Sequence, residues 1–190
     1  MKTLQPQIFL IPVIALILVI VFYNILLKKA TGKTLFKRFT FIVLLVAFIL
    51  NFAWEIIQGP LYSDFAYNIS HIAFCGLASL ADAIMVLLIY FAFAIIYKDP
   101  LWIKHITLQR SIILIVVGTI GAILAEMRHL SLGNWSYASS MPVLPFVKAG
   151  LSPVFQFMLL PFFIFYLSFL LLVNREDHKN KGKVLKQVIL

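Results

Sequence analysis

Charged residues and cysteines are scarce in this chain, and each shortage excludes a class of protein. Of the 190 residues only 12% are charged, whereas 63% are hydrophobic and the mean hydropathy is +1.02. So little polar surface cannot cover a water-soluble globule, and we expect the surrounding solvent to be lipid. The single cysteine, Cys75, excludes an internal disulfide and a cysteine-cluster metal site. No linker or internal repeat divides the chain, which predicts one domain over residues 1–190.

Five apolar runs reach the roughly 20 residues that a helix needs to cross a bilayer. They predict an all-α fold, a polytopic integral membrane bundle with five transmembrane helices at residues 8–27, 39–57, 70–96, 110–127 and 152–173. Residues 174–190 then form a short basic tail. The first run ends at two lysines rather than at a small-residue cleavage site, so we interpret it as a retained span and not as a signal peptide.

Basic residues are unevenly distributed between alternate connections. Thirteen of the sixteen Lys and Arg residues lie near the connections after the first, third and fifth spans, and the others are Lys2, Arg128 and Lys148. Because Lys and Arg are retained on the cytoplasmic side, this asymmetry predicts an outer amino terminus and a cytoplasmic carboxyl terminus in a multi-pass protein of the cell membrane. The topology explains the net charge of +9, so we expect the lipid bilayer as partner and no nucleic acid.

Three acids are the candidate catalytic residues: Glu55, Asp82 and Glu126. All three fall within or beside the predicted spans, towards the outer side. A charged group at the bilayer centre costs about 2.5–3.5 kcal/mol even on lenient insertion scales, so an acid in a span is a candidate site that faces the bundle interior. We expect these carboxyl groups to lie in one shared region.

Other polar side chains recur at helical spacing around the acids, as on the second span, where Asn51, Glu55 and Gln58 share one face. Four spans thereby direct polar groups to one outer region, which predicts a polar cavity open to the outside. The candidate substrate-binding residues are Asn51, Trp54, Gln58, His71, His129, Trp135, Tyr137 and Gln156. Two alternatives stay open: amides as interhelical hydrogen-bond partners, and aromatic residues as membrane-interface anchors.

The outer connection over residues 128–150 is unusually apolar for a loop. It contains Trp135, Tyr137 and Phe146, which are poor choices for a segment surrounded by water. We therefore expect it to lie in the membrane interface or to fold over the cavity as a lid.

The motifs of common catalytic sites are missing. The chain has no His-Glu-x-x-His pair, no glycine-rich phosphate loop and no Gly-x-Ser-x-Gly turn, so we expect neither a metal nor a cofactor. Proton transfer is a better match, since a carboxyl group in an apolar bundle can keep its proton at neutral pH and act as an acid. Two carboxyl groups in different environments can divide the roles of donor and acceptor.

Residues 51–55 read Asn-Phe-Ala-Trp-Glu, an Asn-x-x-Trp-Glu stretch. The stretch resembles one in the small integral-membrane terpene cyclases of fungal meroterpenoid pathways, in which an intramembrane acid protonates an isoprenoid substrate. This resemblance implies Glu55 as proton donor and Asp82 or Glu126 as a second acid. It covers five residues, and that family is generally described with seven spans. The five-span count is similar to the sterol-isomerase-like membrane family, which also places acids around a lipophilic ligand.

Three classes of function are compatible with these observations. The first is an enzyme or binding protein for an apolar lipid- or isoprenoid-like small molecule, which uses the intramembrane acids for proton transfer as a cyclase or isomerase does. The second is a small proton-coupled transporter or channel subunit with Asp82 as its relay. The third is a non-catalytic membrane assembly subunit, in which substitution of the acids harms only expression or partner recovery.

Overall fold

The computed structural model describes residues 6–188, with side chains described for residues 8–173. Its α-helices are α1 (Leu10–Lys29), α2 (Lys33–Gln58), α3 (Ile69–Ile96), α4 (Leu108–Ser131) and α5 (Leu151–Val188). Short 3₁₀ turns occupy Pro6–Phe9, Gly59–Leu61 and Trp102–His105. The described residues form two isolated β-bridges and no β-strand. The all-α prediction is therefore confirmed for the described part of the chain.

Each of the five α-helices contains a segment long and apolar enough to cross a membrane. The helices extend beyond the predicted spans because polar residues end an apolar run without ending a hydrogen-bonded helix. Thus α2 begins at Lys33 rather than at residue 39, and α4 ends at Ser131 rather than at residue 127. The fifth apolar segment is Leu151–Val173, but α5 continues to Val188, through most of the predicted tail. Lys2 and the tail side chains lie outside the described side chains.

The helices alternate in direction, which gives the bundle two distinct ends. Ring contacts of Tyr23 with Phe36 and Phe91 bring the end of α1, the start of α2 and the end of α3 together. We call this the basic end, since the predicted cytoplasmic lysines flank it. A hydrogen bond of Gln58 with Ser152 joins the end of α2 to the start of α5 at the opposite end, the polar end.

Packing places α2 between α3 and α5, with α1 against α3 and α4 against α5. The face of α4 that meets α5 carries a buried residue at every fourth position: Leu114, Gly118, Ala122 and Glu126. A Cβ atom at Gly118 would overlap the carbonyl oxygen of Phe157 on α5. A small residue here allows the two backbones to approach closely, as is typical of helix pairs in membranes.

The basic half of the bundle is filled by an aromatic core, whose fully buried members are Phe36, Phe39, Tyr90, Phe91, Trp102 and Phe165. The ring of Tyr90 lies 5.1 Å from that of Phe165 and 5.5 Å from that of Trp102. The Tyr90 hydroxyl donates to the Pro100 carbonyl at 2.8 Å, and the Trp102 indole donates to the Tyr90 carbonyl at 3.2 Å. The polar atoms of these two rings are thus satisfied by backbone.

Candidate active site

The amide of Gln156, near the start of α5, is the centre of a polar network within the bundle. Its Nε2 lies 2.9 Å from Asn51 Oδ1, 3.2 Å from Glu55 Oε1 and 3.0 Å from Asp82 Oδ2. An amide carries only two N–H groups, so these three acceptors share them. Residues from α2, α3 and α5 therefore meet at one side chain, as the helical spacing predicts for Asn51 and Glu55.

Gln58 extends this network towards the polar end. Its Nε2 donates to Glu55 Oε1 at 2.7 Å and to Gln156 Oε1 at 3.0 Å. Its Oε1 accepts from the Trp54 indole at 3.2 Å and from the Ser152 hydroxyl at 2.8 Å. Both N–H groups and the carbonyl of this amide are used, which fixes its orientation. We call these seven side chains the amide–acid network: Asn51, Trp54, Glu55, Gln58, Asp82, Ser152 and Gln156.

Within the amide–acid network the three amides are the most buried side chains. Asn51, Gln58 and Gln156 are at most 3% exposed, whereas Glu55 and Asp82 retain partial exposure. Both carboxyl groups accept from the same Gln156 nitrogen, Glu55 Oε1 at 3.2 Å and Asp82 Oδ2 at 3.0 Å. Buried amides thus hold the two acids close together.

Glu126 on α4 is held separately by the outer loop. Its Oε2 accepts hydrogen bonds from the Tyr137 hydroxyl and from the Trp135 indole, the latter at 3.3 Å. The Tyr137 oxygen in turn accepts from the backbone N–H of Gly150 at 2.8 Å. Burial, and then the hydrogen bond to Glu126, raise the pKa of Tyr137, so its hydroxyl remains a donor at neutral pH. Glu126 itself is buried.

Tyr62 packs against the Glu126 group, by which we mean Glu126 with its two donors Trp135 and Tyr137. Its ring centroid is 5.6 Å from that of Tyr137 and 6.2 Å from that of Trp135. Burial raises the pKa of Tyr62 well above its usual value, and the nearby Glu126 and Glu55 carboxyl groups raise it further. Tyr62 therefore packs against the two aromatic side chains that donate to Glu126.

Sequence reasoning missed Tyr62 and Ser152 as members of the site. A tyrosine just beyond a predicted span is typical of a membrane-interface anchor, so Tyr62 did not stand out. Only the Gly59-Pro60 turn after α2 indicates that the chain folds back at this point. Ser152 lies at the predicted start of the fifth span, where a hydroxyl is unremarkable. It becomes informative only when its bond to Gln58, which crosses from α5 to α2, is seen.

Two connections join above the site at the polar end. The Ser63 N–H donates to the Ser136 carbonyl and the Ala138 N–H donates to the Leu61 carbonyl, both at 2.9 Å. These bonds place Tyr62 opposite Tyr137 in an isolated bridge. The connection for which the sequence predicts a position in the membrane interface or over the cavity as a lid therefore bonds to its neighbour across this end of the bundle.

The two predicted histidines support loops instead of contacting the acids. The His71 ring stacks on Phe65, with its Nδ1 2.9 Å from the Ala66 carbonyl oxygen. The His129 ring stacks on Trp135 at 4.2 Å, with its Nδ1 2.7 Å from Asn134 Nδ2. Over the part of the chain that the structure describes, no group of three or more His, Cys, Asp or Glu side chains is arranged to hold a metal ion.

No family model, curated protein or solved structure matches this chain. The resemblance of residues 51–55 to the membrane terpene cyclases therefore stays a prediction. A helical bundle hosts many activities, so its function depends on the residues of the site and not on the fold.

Proposed function

We propose that this chain is a membrane-embedded enzyme that transfers protons to and from an apolar, lipid- or isoprenoid-like ligand, in the manner of a cyclase or isomerase. One observation carries the proposal: Glu55 of α2 and Asp82 of α3 both accept from the Gln156 amide nitrogen, at 3.2 and 3.0 Å. Acids in a span are costly, so their convergence from separate helices supports a function rather than chance placement.

The two acids can supply a donor and an acceptor. Both lie against one amide nitrogen, and two neighbouring carboxylates repel each other, so in the proposal one acid keeps its proton while the other is ionised. In the proposed reaction the protonated acid delivers its proton to an alkene carbon, which leaves a carbocation. The carboxylate partner removes a proton from a neighbouring carbon and forms a new double bond. The reaction is redox-neutral, and the pair ends with one proton again.

The aromatic side chains around the acids suit a cationic intermediate. Tyr62 and Trp135 lie edge to face, and Trp54 approaches from α2 through its bond to Gln58. The face of an aromatic ring attracts a cation, by about 2 kcal/mol or more where water is excluded. In the proposal Glu126 is a third carboxyl group, which offsets the positive charge of the carbocation. Hydrogen bonds from Tyr137 and Trp135 hold it in place.

The alternative function as a proton-coupled transporter receives less support. A relay across the membrane needs polar groups beyond Asp82 towards the basic end. The next buried positions on α3 are instead Ala83, Val86 and Leu87, followed by the aromatic core. This apolar barrier favours chemistry at one end of the bundle over passage through it.

The proposal includes an orientation in the cell membrane, with the polar end outside and the basic end in the cytoplasm. It is supported by the thirteen basic residues that flank the helix ends opposite the site. The site then opens towards the outer leaflet, where an apolar ligand can reach it from the bilayer.

Solvent deuterium tests the proposed proton transfer whatever the identity of the ligand. Membranes that contain the chain are incubated in D₂O with a total lipid extract, and the lipids are compared by mass spectrometry. We expect a lipid species that gains carbon-bound deuterium with wild type and not with Glu55→Gln or Asp82→Asn. Asp64→Asn is the matched control, since Asp64 is an exposed acid at the same end with a positive φ of 61° that Asn tolerates.

Full exchange in both acid variants would refute the enzyme, because neither carboxyl group would then transfer protons. No exchange with wild type, together with a ligand that copurifies and is lost in the acid variants, would indicate a binding protein. A purely structural subunit would show neither behaviour, and its acid variants would fail only in expression.

A further inference from the structure

A second feature of the polar end lies on the lipid side of Tyr137. It is an open groove of about 570 Å³, a size within the roughly 300–1,000 Å³ range of small-molecule sites. Its lining is apolar except for one cation and one hydroxyl and consists of Met127, Leu130, Tyr137, Val143, Val147 and Lys148. We call it the Lys148 groove.

The outer wall of the Lys148 groove is a tight hairpin over residues 143–150. A bridge pairs Val143 with Gly150, and the Leu144 N–H donates to the Ala149 carbonyl at 2.8 Å. At its tip Phe146 and Lys148 have positive φ angles of 70° and 53°, a conformation that is unfavourable for non-glycine residues. The hairpin holds the Phe146 ring fully exposed, at 101% of its reference surface.

The position of this hairpin indicates what surrounds it. It lies at the ends of helices long enough to span a bilayer, where lipid headgroups meet acyl chains. A fully exposed phenylalanine beside an exposed valine is unfavourable in water and favourable in that interface. The Lys148 ammonium is exposed and makes no hydrogen bond or ion pair to any side chain that the structure describes.

We propose that the Lys148 groove binds an anionic phospholipid of the surrounding leaflet, with an acyl chain along Met127 and Val147 and the phosphate against Lys148. Charge complementarity selects this occupant, because an apolar trough with a single unpaired cation at its edge matches a chain with an anionic head. This inference adds a ligand class to the proposed function. It rests on the proposed function only in assuming that the bound lipid passes from the groove to the acids.

Tyr137 connects the two sites. One side of this residue lines the Lys148 groove, and its hydroxyl donates to Glu126. A lipid in the groove is therefore separated from the Glu126 carboxyl group by a single side chain. Rotation of that side chain would break its bonds to Glu126 and Gly150 and open the path.

Photo-crosslinking tests the binding site directly. The full chain is placed in phosphatidylcholine nanodiscs with a trace of phosphatidylglycerol or phosphatidylcholine that carries the same diazirine acyl chain, and labelled peptides are mapped by mass spectrometry. We expect phosphatidylglycerol to label residues 127–130 and 143–148 about fivefold more than phosphatidylcholine does, since one lysine near the surface gives roughly that preference. Lys148→Gln should abolish the preference, whereas Lys104→Gln at the basic end should leave it unchanged.

Val147→Trp provides a second readout, because a large side chain fills the trough and should reduce labelling by both probes. Equal labelling of wild type by the two probes, or a preference that survives Lys148→Gln, would overturn the proposal. Glu55→Gln and Asp82→Asn should label as wild type does. Failure of the proton chemistry and failure of the lipid site are therefore separate outcomes, since the first concerns deuterium exchange and the second concerns labelling.

Discussion

The two halves of the bundle bury polar atoms in different ways. In the aromatic core, Tyr90 and Trp102 direct their polar atoms to backbone carbonyls, those of Pro100 and Tyr90. In the amide–acid network, Gln58 and Gln156 direct theirs to other side chains, carboxyl groups among them. A hydrogen bond from a side chain to a backbone carbonyl satisfies the donor and stabilises the fold. A hydrogen bond from an amide to a carboxyl group also satisfies the donor, but the carboxyl group can still exchange its proton. This difference supports our proposal that the polar end is the functional one.

The largest effect that we expect from this contrast is on activity. Glu55→Gln and Asp82→Asn keep the shape and an acceptor oxygen but cannot carry the acidic proton. Each should reduce solvent deuterium incorporation by about 10²–10⁴-fold, the usual contribution of a positioned acid or base. The free energy of unfolding should change little, because the bonds from Gln58 and Gln156 can re-form.

The matched substitution in the aromatic core is Tyr90→Phe. It removes one hydrogen bond, to the Pro100 carbonyl, and should lower the free energy of unfolding by about 1 kcal/mol with unchanged deuterium incorporation. Loss of activity in Tyr90→Phe equal to that in Glu55→Gln would erase the distinction between the two regions.

The next largest effect concerns α4, which supplies Glu126 and packs mainly on α5. Gly118→Ala forces a methyl group against the Phe157 carbonyl and should destabilise the bundle by about 1–3 kcal/mol, as overpacking does. Gly121→Ala lies on the same helix with open space around its Cβ, so it should be neutral or slightly stabilising. Thermal unfolding in detergent measures both.

Gly118→Ala also separates the regions. The buried cluster that contains the aromatic core includes only Leu114 from α4, so it should stay largely packed while Glu126 is displaced. Deuterium incorporation should therefore fall with Gly118→Ala and not with Gly121→Ala. Equal stability of the two variants would mean that the α4–α5 approach is not close.

Hydropathy was sufficient to predict the five helices, because a lipid-facing surface needs long apolar runs whatever the packing. Helical spacing was sufficient to place Asn51, Glu55 and Gln58 on one face, since that face follows from the 3.6-residue period alone. The side chains that contact this face of α2 were not predictable from the sequence. The contact of Gln156 with Asp82, for example, depends on how α3 and α5 pack around α2. The role of Tyr62 depends on a turn, and turns carry little hydropathy signal.

A smaller effect should follow from removal of one hydroxyl in the Glu126 group. Tyr137→Phe keeps the ring beside Tyr62 but removes the donor to Glu126 and the acceptor for the Gly150 N–H. The free energy of unfolding should fall by about 1–2 kcal/mol, because Glu126 then retains only the Trp135 indole as a donor. Tyr67→Phe is the control, since Tyr67 is exposed and makes a single long bond of 3.5 Å to the Ile56 carbonyl.

The smallest effect is a dependence of stability on alkaline pH that arises at the polar end. The pKa of Tyr137 is raised in the folded protein above the ordinary value of 10.0, mainly by burial. Above pH 10 the unfolded chain loses the Tyr137 proton while the folded chain retains it, so ionisation favours unfolding. The stabilising contribution is complete below pH 10 and is lost as the pH rises towards the raised pKa of the folded protein.

Wild type should therefore lose stability above pH 10 more steeply than Tyr137→Phe, whereas Tyr67→Phe should follow wild type. Parallel curves for wild type and Tyr137→Phe would show that the Tyr137 hydroxyl is solvated, and Glu126 would then lack the protected donor that distinguishes its surroundings from bulk water.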